Sequence, residues 1–289
     1  MQDIVGDAEG RRFWSRLGGA FRYWTPPIGR SGIRPFLWPR ALVISRQRLD
    51  LDLGSYDFVQ AEPVVGADIP LTSWLDMSLG MGLQYRRLLQ TDEGPEAARL
   101  QRTDPVSDLR AALLAQFRLR AGGQLRVDRL NQINLEARIY TLFARQDLAD
   151  LRGSYERTFS FGFDDLEIGV SGQALLGDVT FTDEVRVSDH LRGLYGDELF
   201  TDAIGSVRLE YRYSLIRELL KISAFHDAAG FRGIDRLSLT ESFRIGNAFG
   251  VGLHSLAFDA FRLSIYGVLG FISDEGPDAG FAFSLRQLF

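Results

Sequence analysis

Residues 260–271 read AFRLSIYGVLGF, and their alternation decides the fold class. Phe261, Leu263, Ile265, Gly267, Leu269 and Phe271 fall on one face; Arg262, Ser264, Tyr266, Val268 and Gly270 fall on the other. A period of two is strand periodicity, because successive side chains of an extended chain point to opposite sides. Working outward, 203–214 sets Val207, Leu209, Tyr211 and Tyr213 against Arg208, Glu210 and Arg212. Residues 107–120 set Leu109, Ala111, Leu113, Ala115, Phe117 and Leu119 against Arg110, Gln116, Arg118 and Arg120. The split recurs over 132–146, 154–163, 165–176, 179–188, 219–229, 243–256 and 279–289, and more weakly over 40–54, 56–69 and 73–88. A further strand is expected near Phe13–Tyr23. Asp164-Asp165, Gly177-Asp178 and the 274–278 stretch carry turn chemistry. Residues 90–105 read as a long polar connection, and nothing marks a domain boundary. The expectation is one domain over 1–289 with a polar tail at 1–9.

Composition narrows the class. At 45% hydrophobic and 12% aromatic, the 289-residue chain is not intrinsically disordered. It has no cysteine, which excludes a disulfide framework and thiolate metal sites. A net charge of −5 leaves no electrostatic footprint for nucleic acid. Lys221 is the only lysine, so the positive charge is almost entirely guanidinium. The uncharged run Ile245–Phe258 falls short of the roughly 18 apolar residues a membrane helix needs. Met1–Gly10 is acidic and polar rather than a signal peptide, and the expectation is that the start has been trimmed.

Alternation fits either a soluble sandwich, whose apolar faces meet in a dry core, or a transmembrane barrel, whose apolar faces meet lipid. Three features select the barrel. The alternating segments are about 10–15 residues long, against about 5–6 for globular strands and about 9–11 for tilted membrane strands. The polar faces mix arginine, carboxylates and glycine, as a crowded wet lumen requires. Tyr155, Phe163, Phe271 and Phe289 sit at expected strand ends, where an interfacial aromatic girdle lies. The fold class is therefore all-β: a single transmembrane antiparallel β-barrel with an even number of strands, 14 to 16. Asp183 and Arg157 fit badly, because both fall in lipid-facing registers of 179–188 and 154–163. Such charges are tolerable near an interface, where arginine costs about 0–1 kcal/mol rather than about 2–4.

The last strand and one loop carry a resemblance. Counting back in twos from Phe289 in GFAFSLRQLF (280–289) gives Gln287, Leu285, Phe283 and Phe281. This is similar to the C-terminal signal that the outer-membrane assembly machinery reads on its barrel clients. Residues 190–196 (HLRGLYG) precede a strand with Glu210 on its polar face and a second with Asp227 on its polar face. That order resembles the BamA/TamA/TpsB superfamily of outer-membrane barrels, over roughly residues 178–289. There an Arg-Gly in the sixth extracellular loop reaches down to acidic residues on the next two strands. The resemblance implies sixteen strands and a loop lock made of Arg192, Gly193, Glu210 and Asp227. The chemistry is sound independently of the family, since a planar guanidinium fork suits two carboxylates at once. Leu194 stands where the family has an aromatic, with Tyr195 one place later. The family's periplasmic POTRA domains have no counterpart in these residues, so the match is to the barrel portion.

The function implied is insertion, assembly or translocation of polypeptides at the outer membrane through a seam between the first and last strands. The partners implied are outer-membrane lipids including lipopolysaccharide, unfolded barrel or secreted polypeptide clients, and periplasmic accessory proteins. The alternative is a pore, or the membrane anchor of a larger protein. Neither reading needs a cofactor or a catalytic residue. His190, His226 and His254 lack metal-ligand spacing, and His226 falls on the lipid-facing register. His226 and Asp227 point to opposite faces and cannot form a dyad, whereas Asp189-His190 stands as a rim pair. Gly169-Val-Ser171-Gly172-Gln173 is not a nucleophile elbow. Gly246, Gly250 and Gly252 leave room for a lumenal loop, and Asp50, Asp52 and the acidic 274–278 turn read as solvated charge.

Overall fold

The computed structural model describes residues 16–48, 53–93, 107–121, 131–141, 147–192, 199–217, 219–235, 240–257, 261–273 and 276–287. The strands are β1 (Arg16–Ala20), β2 (Tyr23–Trp24), β3 (Arg34–Arg48), β4 (Leu53–Pro70), β5 (Leu75–Glu93), β6 (Ser107–Ala121), β7 (Asn131–Thr141) and β8 (Leu148–Phe161). They continue with β9 (Asp164–Gly177), β10 (Val185–Arg186), β11 (Phe200–Thr201), β12 (Ala203–Ile216), β13 (Leu220–Asp235), β14 (Thr240–Ala257), β15 (Phe261–Ile272) and β16 (Asp278–Gln287). Among the described residues, fourteen of these form one antiparallel sheet, and β10 and β11 form a separate hairpin. Each strand of the large sheet pairs with its neighbour in sequence, except that β9 pairs β12 across the hairpin and β1 and β2 both lie against β3.

The alternation reads out as two surfaces. Leu79, Met81, Leu113, Ile139, Val170, Leu209, Val251, Leu253, Ile265 and Leu269 are exposed on the outside. Their alternate neighbours are buried inside, among them Glu62, Arg110, Arg138, Asp150, Glu210, Asp227, His254 and Ser264. Apolar-out and polar-in is the inverse of a soluble core, and it is the pattern of a barrel solvated by lipid. Chords across the interior show that the sheet curls round on itself. Arg138 on β7 donates to Glu62 on β4 at 2.7 Å, although β5 and β6 lie between those strands in the sheet. Short turns at one end, such as Gly162-Phe163 with Gly162 at φ +69°, contrast with the long β9–β12 connection at the other. Phe163 and Phe271 stand exposed at strand ends, as do Trp24 and Trp74, while Phe289 lies outside the described residues.

Two expectations are corrected. Residues 179–188 do not form a membrane strand: only Val185–Arg186 is extended, and the segment turns into the lumen. Its alternation arose because Thr180, Phe181, Glu184, Val185, Arg186 and Val187 are buried by barrel wall on several sides, not on one face of a sheet. Asp183 is consequently lumenal rather than lipid-facing. The strand expected over 154–163 begins at Leu148, which moves Tyr155 from a strand end to mid-strand. Arg157 does project outward near the turn, stacked 4.3 Å over Phe159. His226 is also directed outward, stacked 4.3 Å from Phe249.

Candidate functional site

The described parts of the β9–β12 connection, 178–192 and 199–202, run inside the barrel, held at two points. The first is Asp183, whose carboxylate accepts from Arg86 Nη1 on β5 (2.7 Å) and from Arg110 Nη1 and Nη2 on β6 (2.9 and 3.2 Å). Its own loop adds the Thr180 backbone N–H at 3.1 Å and the Thr180 hydroxyl at 2.6 Å. Burial alone would raise the Asp183 carboxyl, but the two guanidinium charges outweigh it and hold the pKa lowered to about 2. Beside it, Phe181 packs edge-on against Tyr56, which stacks on Phe58.

The second point is Arg192. Its Nε and Nη2 donate to the two carboxylate oxygens of Asp227, both at 2.7 Å, and its Nη1 donates to Glu210 at 2.9 Å. Register explains the convergence. On the β12–β13 ladder Glu210 pairs Phe225 and Arg208 pairs Asp227, so both acids and the Phe225 ring share the lumenal face two residues apart. The guanidinium lies 3.7 Å over the Phe225 ring and 5.1 Å from Tyr266. Burial would lower the Arg192 pKa, but hydrogen bonds and charge from Asp227, and then Glu210, raise it. Glu210 is further supplied by Arg212 Nε at 3.1 Å and His254 Nε2 at 3.0 Å. Asp227 is fully buried, and among the described residues its hydrogen bonds all come from Arg192.

Between these points the loop is packed as a plug. Val187 and Leu191 have no exposure, and the 187–191 turn is tied by His190 N–H and Leu191 N–H to the Val187 carbonyl. Leu191 fits because β14 has a glycine opposite: a Cβ at Gly246 would meet Leu191 Cδ2 at 2.6 Å. Gly250 likewise gives space to the Phe225 ring and Gly252 to Tyr266, so all three β14 glycines serve the plug or the aromatic floor under Arg192. A polar cavity of about 190 Å³ remains beside the loop, lined by Arg46, Arg86, Arg152, Asp150, Asp183 and Asp189 among others.

The structure thus brings together Arg192, Glu210 and Asp227, while Gly193 lies outside the described residues. On β16, Phe281 and Phe283 project outward, and Leu285 pairs Leu263 in the β15 ladder. The rim pair separates differently: His190 Nδ1 lies 3.2 Å from Ser171 Oγ, which also meets Ser206 Oγ at 2.7 Å. Among the described residues no cluster of three metal-ligating side chains occurs.

BamA from Haemophilus ducreyi, in a crystal structure lacking POTRA domains 1-3, superposes with a TM-score of 0.72 at 11% identity, over 94% of this chain and 62% of that one. CdiB from Acinetobacter baumannii superposes with a TM-score of 0.61 at 13% identity, over 93% of this chain and 50% of that one. The fold is that of the BamA-type barrels. This chain spans about half to three-fifths of the length of those two proteins. No protein-family model and no curated protein sequence matches it. Within the BamA-type fold, sequence reading missed the Asp183 anchor with Arg86 and Arg110, and the Arg212 and His254 supports of Glu210. The signal for the first was the misfit itself: a carboxylate in an apolar register needs an inward partner. The second lay in Arg212, two residues from Glu210 and so on the same face.

Proposed function

We propose that the barrel inserts or translocates polypeptides at the outer membrane, working through a seam between the two ends of its sheet, with Arg192 locking the lumenal loop. The observation that carries this reading is the bonding of Arg192 to Asp227 and Glu210 within a BamA-type barrel. A loop locked in the lumen closes the axial route and leaves the lateral one. At the seam, β16 ends the antiparallel array on one side and β3, with β1 and β2 laid along part of its edge, on the other; unpaired N–H and C=O groups in hydrocarbon cost several kcal/mol each. An incoming strand that pairs with such an edge is therefore strongly favoured, and no energy source is required. Phe281 and Phe283 present the apolar face of β16 to lipid, so a client strand paired there would match its own apolar face to the same layer. Lipids, including lipopolysaccharide, and periplasmic accessory proteins are the partners this role calls for.

Photo-crosslinking tests the seam. A benzophenone amino acid in place of Phe283 should capture an unfolded barrel client during its insertion, and the same group in place of Val170, on β9 away from the seam, should not. Equal capture at both positions would contradict the seam. The second reading, a pore or membrane anchor, is favoured by the polar cavity beside the loop and predicts capture at neither position.

A further inference from the structure

The outer edge of β3 is built as a controlled edge. Phe21 N–H donates to the Pro39 carbonyl at 3.3 Å and Thr25 N–H to the Pro35 carbonyl at 2.9 Å, so these carbonyls face away from β4. A residue in a strand directs its N–H and C=O to the same neighbour, so Pro35 and Pro39 also place their missing donors on that outer edge. Between Pro35 and Val43, only Leu37, Ala41 and Val43 can donate along it. Proline on an exposed edge is a recognised means of weakening strand addition.

That edge is occupied by the chain itself. Residues 16–20 pair with 40–44 and residues 23–24 with 36–37. The pairing is weak by composition, since β1 contains Gly18 and Gly19 and the ladder breaks between β1 and β2. What holds it besides the ladder is a latch: the Arg22 guanidinium pairs with Asp68 and stacks 3.8 Å over Phe36, and Trp24 Nε1 donates to Asp68 at 2.7 Å.

Direction adds a conflict. From β3 through β16 the large sheet alternates strictly, so β3 and β16 run in opposite senses and can close an antiparallel ring. β1 and β2 are antiparallel to β3 and therefore run the same way as β16. The self-strand and β16 thus require the same edge of β3 in the same orientation. An extended client strand approaching that edge requires it too.

We infer that residues 16–24 are a cis-acting cap on the seam edge of β3, displaced when an extended client strand pairs there. The inference rests on the seam reading above and adds to it what must leave the edge before a client pairs there. The partner is an extended polypeptide strand with alternating apolar residues, antiparallel to β3.

The chain lacks cysteine, so a Gly19→Cys/Ala41→Cys pair would be its only thiols. The two positions are register partners, a Cβ at Gly19 meets nothing within 4 Å, and Ala41 is exposed. The assay is folding of an unfolded barrel client into liposomes carrying the reduced or the oxidised protein. The reduced protein should accelerate client folding, the oxidised form should lose at least about tenfold of that acceleration, and reductant should restore it. An Ala224→Cys/Val251→Cys pair, locking β13 to β14 away from the seam, should change nothing on oxidation. Equal rates for oxidised and reduced Gly19→Cys/Ala41→Cys protein would overturn the cap and leave the seam reading standing. So would loss of rate in both cysteine pairs alike, which would be a general effect of cross-linking. A Gly19–Ala41 pair that neither oxidises nor is bridged by a short bifunctional thiol reagent would overturn the placement of β1. If neither the reduced nor the parent protein accelerates the client, the seam reading falls and the cap with it.

Discussion

Replacing Arg192 by alanine separates a held loop from an ordinary charged lumen. Arg192 is 16% exposed, and its Asp227 partner is not exposed at all. Removing one partner of a buried, hydrogen-bonded ion pair costs about 3–5 kcal/mol, because the other charge is left buried and unpaired. Glu210 keeps Arg212 and His254, so the uncompensated charge is that of Asp227 alone, and the low end of the range applies. About 3 kcal/mol is a factor of about a hundred in the docked-to-undocked equilibrium. Hydrogen exchange by mass spectrometry reads this directly on the peptide 185–192, whose amides are tied by the Val187 turn and the β10–β11 hairpin. Exchange there should quicken about a hundredfold in the Arg192→Ala protein, while the ladders of β12 and β13 keep their protection and gel mobility remains heat-modifiable. Arg192→Lys should fall between, since an ammonium lacks the fork that spans two carboxylates. Unchanged protection of 185–192 in a folded Arg192→Ala barrel would refute the reasoning.

Other predictions follow from the same contacts. Asp183 has a folded-state pKa of about 2 against 3.8, so it adds about 2 kcal/mol of docking that is complete above pH 4 and lost as pH falls through 2; amide exchange of 179–185, measured against an unstructured peptide of the same sequence at each pH, should lose its protection only at the acid end. Asp183→Asn should open 179–185 at neutral pH while sparing 187–191, the reverse of Arg192→Ala. Gly246→Val should push Leu191 out of its niche at about 1–3 kcal/mol, seen as faster exchange of 187–191 with the strands intact. Val251→Arg, at a position 66% exposed in mid-β14, should destabilise the barrel by about 2–4 kcal/mol in lipid by urea titration. Leu215→Arg, at the turn end of β12, should cost about 0–1 kcal/mol by the same titration.

The sequence was most legible where one environment lies on each side of a strand. β12, β13, β14 and β15 start and end within a few residues of the stretches that alternate, and the convergence of Glu210 and Asp227 followed from parity alone. Legibility failed where a segment has protein on every side. The 179–188 loop alternates without being a strand, because lumen packing buries both its apolar and its charged residues. Long-range partners such as Arg86 and Arg110 for Asp183 could not be named either, since the chord across a barrel depends on its curvature and not on local pattern. The strand expected near Phe13–Tyr23 is present as two short pieces, β1 and β2, but that they would lie on the outer edge of β3 was not legible, because Gly18 and Gly19 carry no side chain to set a register.

One rate shows whether this barrel promotes polypeptide insertion. A denatured small barrel client is added to liposomes with and without the protein pre-inserted and shown folded by its heat-modifiable mobility. Client folding should be faster in the liposomes that contain the barrel; equal rates with a folded barrel would assign the chain to a pore or an anchor.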